Sequence, residues 1–119
     1  MRFRAGNGFG SKGGGRISDL VRTVFRFPRT LARGARQVAV VGPFNGWDPV
    51  AHKLARTPGG DWRITVYLAP GRVVYRFDVD GAYRLDPSDH GRLPNGWGSD
   101  YSVRYIRRRR TAPIRRSGR

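Results

Sequence analysis

The segment Trp62-Arg63-Ile64-Thr65-Val66-Tyr67-Leu68 alternates bulky apolar with polar residues, and that period of two belongs to a pleated strand with one buried face. Trp62, Ile64, Val66 and Leu68 share the face that should point inward. Residues 73–79 repeat the pattern, with Tyr75, Phe77 and Val79 inward and Val74, Arg76 and Asp78 outward. Ala69-Pro70-Gly71 turns the chain between these two strands, and Asp80-Gly81 makes a tight hairpin into Ala82-Tyr83-Arg84-Leu85. Upstream, Val38-Ala39-Val40-Val41 reads as a buried strand stopped by Gly42-Pro43. A weak strand at 52–56 then precedes the turn Thr57-Pro58-Gly59-Gly60. Downstream, a polar loop runs from Asp86 to about Ser99, and a last strand occupies 101–106. Six or so short strands with regular turns specify an all-β chain, an immunoglobulin-like antiparallel β-sandwich of residues 37–106.

Charge divides the chain differently. Residues 1–36 hold nine Lys/Arg and one Asp, residues 37–106 eight and seven, and residues 107–119 seven Arg and no acid. The predicted sandwich is therefore nearly neutral, and the formal net charge of +16 resides on two arms. Residues 1–16 are Gly-rich with little apolar content, which predicts an unpacked arm. Ser18-Asp19 reads as a helix N-cap, followed by Leu20, Val21, Val24 and Phe25 on one helical face, with Pro28 ending the helix. That face either covers the sandwich or lies on a membrane or partner. Arg22, Arg26, Arg29, Arg33 and Arg36 on one arm, and Arg107, Arg108, Arg109, Arg110, Arg115 and Arg116 on the other, are candidates for docking to an anionic surface. Arg makes up 22 of the 24 basic residues, a bias that genomic composition explains as readily as function.

Catalysis finds little support. There is no Cys and no Glu, the only histidines are His52 and His90, and every acid is an Asp in a turn or loop position or on a strand surface. No nucleophile, base and orienting group stand at a suggestive spacing. Asp86, Asp89 and His90 read as an Asx turn around Pro87-Ser88 and not as a metal site, so neither metal nor cofactor is expected. Gly8-Phe9-Gly10-Ser11-Lys12-Gly13 matches a dinucleotide fingerprint, but no strand precedes it. No secretory signal is visible and no apolar run reaches the ~20 residues of a membrane-spanning helix. The expected setting is cytoplasmic, with a peripheral position on the cytoplasmic face of a membrane as an extension of it.

Seven short signatures occur in order. They are Gly42-Pro43-Phe44-Asn45-Gly46-Trp47, Gly60-Asp61-Trp62, Leu68-Ala69-Pro70-Gly71, Val74-Tyr75-Arg76-Phe77, Val79-Asp80-Gly81-Ala82-Tyr83, Asp86-Pro87 and Asn95-Gly96-Trp97-Gly98. In this succession residues 37–106 resemble the glycogen-binding domain of the AMP-activated kinase β subunit. They are equally similar to the early-set, family 48 carbohydrate-binding modules at the front of branching and debranching enzymes. The resemblance implies a non-catalytic sandwich in which two aromatics stack on sugar rings, a Lys and an Asn bond hydroxyls, and an apolar side chain closes the site. Carried onto this sequence, Trp47 is the first aromatic, Tyr83 replaces a Trp, Arg76 replaces the Lys, and Trp97 lies near the closing position. Tyr101 stands where the Asn is usual, which removes an amide and adds bulk.

Two functions follow. An accessory or scaffold subunit would use the sandwich for protein interaction and the basic arms to hold an anionic surface: anionic lipid, an acidic protein in a larger assembly, or nucleic acid without sequence reading. A stand-alone module for glycogen or starch-like α-glucan would use Trp47, Arg76, Tyr83, Trp97 and Tyr101. The charge of the arms puts the accessory subunit first, because α-glucan is neutral.

Overall fold

A computed structural model describes residues 19–96 and 98–108. Its strands are β1 (Val21–Phe27), β2 (Val38–Val41), β3 (Ala55–Arg56), β4 (Trp62–Leu68), β5 (Gly71–Val79), β6 (Ala82–Arg84), β7 (Gly91–Pro94) and β8 (Asp100–Ile106). One sheet has the order β1-β4-β3; the other runs β2-β5-β8-β7, with β6 also paired to β5. All pairings are antiparallel. The long β5 takes β8 along residues 71–75 and β2 with β6 along 76–79, so it is the spine of the second sheet.

The inward faces behave as the period of two requires. Trp62, Val66 and Leu68 of β4 and Tyr75 and Phe77 of β5 are buried. Tyr75 meets Phe25 edge-on at 5.0 Å, and Phe27 packs on Phe77 at 4.9 Å. Each such aromatic, fully buried, contributes about 1.5–3 kcal/mol by transfer from water.

The helix expected after Ser18 is instead β1, and the sandwich therefore takes in residues that charge assigned to the N-terminal arm. Val21-Arg22-Thr23-Val24-Phe25-Arg26-Phe27 satisfies both periods, and in a run this short the β-branched and aromatic content decides. Thr23, Phe25 and Phe27 are buried, and all seven residues pair with β4. Phe25, wholly inaccessible, is thus part of the core and is not available to a membrane or partner. The polar loop 86–99 contains a further strand, β7, whose Pro94 is tolerated because β7 is an edge strand. The weak strand at 52–56 shrinks to Ala55–Arg56, with an isolated bridge between Ala39 and Lys53.

One inward position on β8 is an arginine. Arg104 crosses between the sheets, donating from Nη1 to the Val24 carbonyl, with its guanidinium carbon 5.0 Å from the centre of the Phe25 ring. The cation and the aromatic face satisfy each other there.

Candidate functional site

The loop after β2 is built before any side chain reaches solvent. Gly42 has an ordinary extended backbone, but a Cβ on it would sit 2.5 Å from the Val74 carbonyl oxygen and 2.8 Å from the Phe44 ring. Close approach, and not dihedral freedom, is what demands glycine at this position. Residues Pro43–Asn45 form one 3₁₀ turn. Asn45 clamps it: its Oδ1 accepts from the Gly42 N–H at 3.1 Å, and its amide donates to the Val40 carbonyl at 3.0 Å and to His52 Nδ1 at 2.9 Å. Burial holds the His52 pKa below its usual 6.5 against the opposing pull of Asp48, which favours the neutral ring that can accept this bond. The clamp delivers the chain to Gly46 and Trp47, both left-handed, with φ of 66° and 61°. Left-handed backbone is strained for a Trp, and the surrounding hydrogen bonds, including Trp47 N–H to the Gly42 carbonyl at 2.9 Å, hold it there.

Trp47 so placed lies against Tyr101, ring centres 5.2 Å apart. Arg76 comes next, its guanidinium carbon 4.8 Å from the Tyr101 ring centre and 5.0 Å from that of Tyr83. Four residues on the outer face of the five-stranded sheet thus form one ladder: Trp47, Tyr101, Arg76, Tyr83. Arg76 is also fixed in its plane, with Nε donating to the Asp100 carbonyl at 3.1 Å and Nη2 to Ser99 Oγ at 2.7 Å. Asn95 in turn donates to Ser99 Oγ at 2.8 Å. Tyr83 is 54% exposed and stands just beyond the Asp80-Gly81 turn, whose φ values of 50° and 90° are those of the tight hairpin the sequence predicts. Asp80 anchors that turn by accepting the Arg36 and Gln37 N–H groups, and the Arg36 bond first and Gln37 second keep its pKa low. Beside the ladder Arg76, Tyr83, Arg84, Leu85, Ser99 and Asp100 line an open groove of about 380 Å³.

Of the sequence candidates, Trp47, Arg76, Tyr83 and Tyr101 are brought together, and Trp97 lies outside the described residues. Tyr101, the departure from the family pattern, is the link between Trp47 and Arg76. The arginines go elsewhere. Arg22 and Arg26 stand on the outer face of the three-stranded sheet, with Arg26 2.9 Å from the Asp61 carboxylate. Arg22 and Arg107 flank a groove that also takes Leu20, Val21 and Tyr67. Arg29, Arg33 and Arg56 line another of about 360 Å³. Arg36 is exposed, and Arg108 lies 3.8 Å from Asp19. Arg109, Arg110, Arg115 and Arg116 fall outside the described residues, while Leu20, Val21 and Val24 are half-buried.

The acids serve the scaffold. Asp86, buried, accepts Tyr75 Oη at 2.6 Å and the Ser88 N–H and hydroxyl at 2.8 Å, which is the Asx turn the sequence predicts. Burial, and then the Asp86 carboxylate, push the Tyr75 phenol far above its ordinary pKa. His90 Nδ1 accepts the Tyr105 N–H, and Asp89 pairs with Arg92. Among the described residues no three His, Asp or Glu side chains are grouped to hold a metal, and no helix is long and apolar enough to cross a membrane.

The family described as the glycogen recognition site of AMP-activated protein kinase matches residues 21–98. The chain belongs to that family. The match begins with β1, the strand the helical reading missed. Individual relatives include the 1,4-alpha-glucan branching enzyme GlgB of Pseudomonas syringae pv. tomato, 47% identical over 58 residues, and that of Cupriavidus pinatubonensis, 40% identical over 68. These stretches cover 47% and 54% of this chain but only 8% of either enzyme. The enzyme of Bordetella pertussis gives 47% over 53 residues, 43% of this chain and 7% of the enzyme.

Proposed function

We propose that this sandwich is a non-catalytic α-glucan-binding module, holding glycogen or a starch-like chain on the outer face of its five-stranded sheet. The observation that carries the reading is the ladder Trp47–Tyr101–Arg76–Tyr83, in which Trp47 and Tyr83 stand where the resemblance implies sugar-stacking aromatics. Sugar rings present C–H faces that lie flat on aromatic faces, and the guanidinium beside them reads hydroxyls. Arg76 suits that role better than a mobile Lys: two of its N–H groups are spent on Ser99 and Asp100, so the remaining donors are aimed. Membership of a glycogen-recognition family moves this reading ahead of the accessory subunit that charge alone had put first.

The test is retention of the full chain on insoluble amylose and its release by free maltooligosaccharide. Trp47→Ala combined with Tyr83→Ala should abolish retention while leaving thermal unfolding cooperative. A folded double variant that is still retained would overturn the assignment.

One observation favours a second role away from the ladder. Among the described residues Arg29, Arg33 and Arg56 share a groove lined by no acid, and the Asp61 carboxylate that accepts the Arg29 N–H is also bonded to Arg26. Such a groove suits an anionic surface, as the accessory-subunit reading requires. Binding to anionic vesicles that vanishes at high salt would support it, and binding no stronger than to neutral vesicles would remove it.

A further inference from the structure

The outer face that carries the ladder does not end at Tyr101. Strand β8 runs from Asp100 to Ile106, paired to β5 along residues 102–106 and to β7 along residues 100–103. Alternation therefore puts Tyr101, Val103 and Tyr105 on one face, with Ser102, Arg104 and Ile106 facing the core. The inward set is verified by contact: Ser102 Oγ accepts the Asp86 N–H and Arg104 reaches the Val24 carbonyl. On the outward set, Tyr105 stands directly across from Arg72. That pairing lies four residues along the strands from the contact of Arg76 with Tyr101, and half-buried Val74 and buried Val103 pair between them.

Tyr105 has the properties of a platform. It is 51% exposed, although its size would favour burial. It is also held: the His90 ring lies parallel to it, 13° between planes and 5.9 Å between centres, and the Tyr105 N–H donates to His90 Nδ1 at 2.9 Å. His90 supports the ring, and about half of the residue's surface remains exposed. Four strand residues separate Tyr101 from Tyr105 by roughly 13 Å, too far for a single sugar ring to touch both.

We propose that Tyr105 and Arg72 form a second sugar-binding platform on the same face, so that the module engages an extended stretch of α-glucan and not only the few residues above Trp47. The inference rests on the α-glucan reading of the ladder. It adds a ligand-length requirement that the ladder alone does not impose.

Calorimetric titration of the full chain with maltotriose and with maltoheptaose tests it. The wild type should bind the longer chain about three- to tenfold more tightly, the range expected for one added aromatic contact. Tyr105→Ala should remove that gain and leave maltotriose affinity unchanged, whereas Tyr105→Phe should keep it. Tyr101→Ala should weaken both ligands. Equal gains in wild type and Tyr105→Ala, with both folded, would overturn the second platform and leave the ladder standing. Failure of the wild type to bind either sugar would overturn the α-glucan reading and the second platform with it.

Discussion

The two outer faces of this sandwich have been given different chemistry by the same alternation. On the five-stranded sheet the outward positions Arg76 and Tyr101, with Trp47 from the loop and Tyr83 from the hairpin, touch in series, and the one cation in the ladder lies between aromatic rings. On the three-stranded sheet the outward positions are Arg22, Val24 and Arg26 on β1 and Arg63, Thr65 and Tyr67 on β4. Arg26 faces Arg63 directly, a like-charge pair that is unfavourable in a sheet, and Asp61 relieves it. One face offers stacking surface and fixed donors; the other offers dispersed positive charge. The net charge of the chain, +16, is therefore a poor guide to what the aromatic face takes.

Several changes would break or sharpen that contrast. The largest effect should come from β1, whose two faces can be separated one residue at a time. Phe25→Ala empties a fully buried position and should cost about 3–5 kcal/mol, while Arg22→Ala on the same strand should stay within about 0.5 kcal/mol, both read from denaturant unfolding. Equal effects would mean that β1 does not sit as described. Next, Gly42→Ala would force a Cβ against the Val74 carbonyl and the Phe44 ring. A loss of roughly 1–3 kcal/mol is expected together with weaker glucan binding, because the loop that presents Trp47 must shift. Tyr75→Phe should cost about 1–3 kcal/mol and leave glucan affinity intact, since it deprives buried Asp86 of a partner on the inward side of the sheet.

The smallest effects are those of pH. His52 has a lowered folded pKa, so the unfolded chain takes up its proton first. Its contribution is complete above the ordinary value of 6.5 and is lost as pH falls from there through the folded pKa. Protonated His52 cannot accept from Asn45, so glucan affinity should decline over the same window, and His52→Gln should flatten the profile. Asp61 is lowered by the Arg29 N–H and then by Arg26, and Asp80 by its two backbone donors. Their share persists above 3.8 and disappears as pH drops below it, which a melting series in acid would show as a further decline.

Much of the fold was legible because its strands obey a strict period. Trp62–Leu68 could be oriented from sequence, as could Tyr75 and Phe77, and the Asp80-Gly81 hairpin took the predicted form. β1 is ambiguous in the sequence because seven residues with apolar side chains at 21, 24 and 25 fit a helical face as well as a strand, and nothing local reveals that β4 lies waiting to pair. β7 was hidden because Gly91-Arg92-Leu93-Pro94 has neither β-propensity nor a buried face; pairing with β8 alone makes it a strand. At the site, the loop residues were visible as a motif, but two roles were not. By position alone Tyr101 is the loss of an amide, whereas its contacts join Trp47 to Arg76. Arg104 gave no signal, since a strand arginine ordinarily faces water and this one is turned inward to the Val24 carbonyl and the Phe25 ring.

The contrast between the faces converges on one measurement: binding of the full chain to amylose at low and at high salt, with the wild type, Trp47→Ala, and the triple variant Arg22→Ala, Arg26→Ala, Arg63→Ala. A neutral ligand on an aromatic ladder should be held equally at both salt concentrations, lost with Trp47→Ala, and unchanged in the triple variant. Retention that disappears at high salt or with the triple variant, and survives Trp47→Ala, would contradict the assignment of glucan binding to the aromatic face.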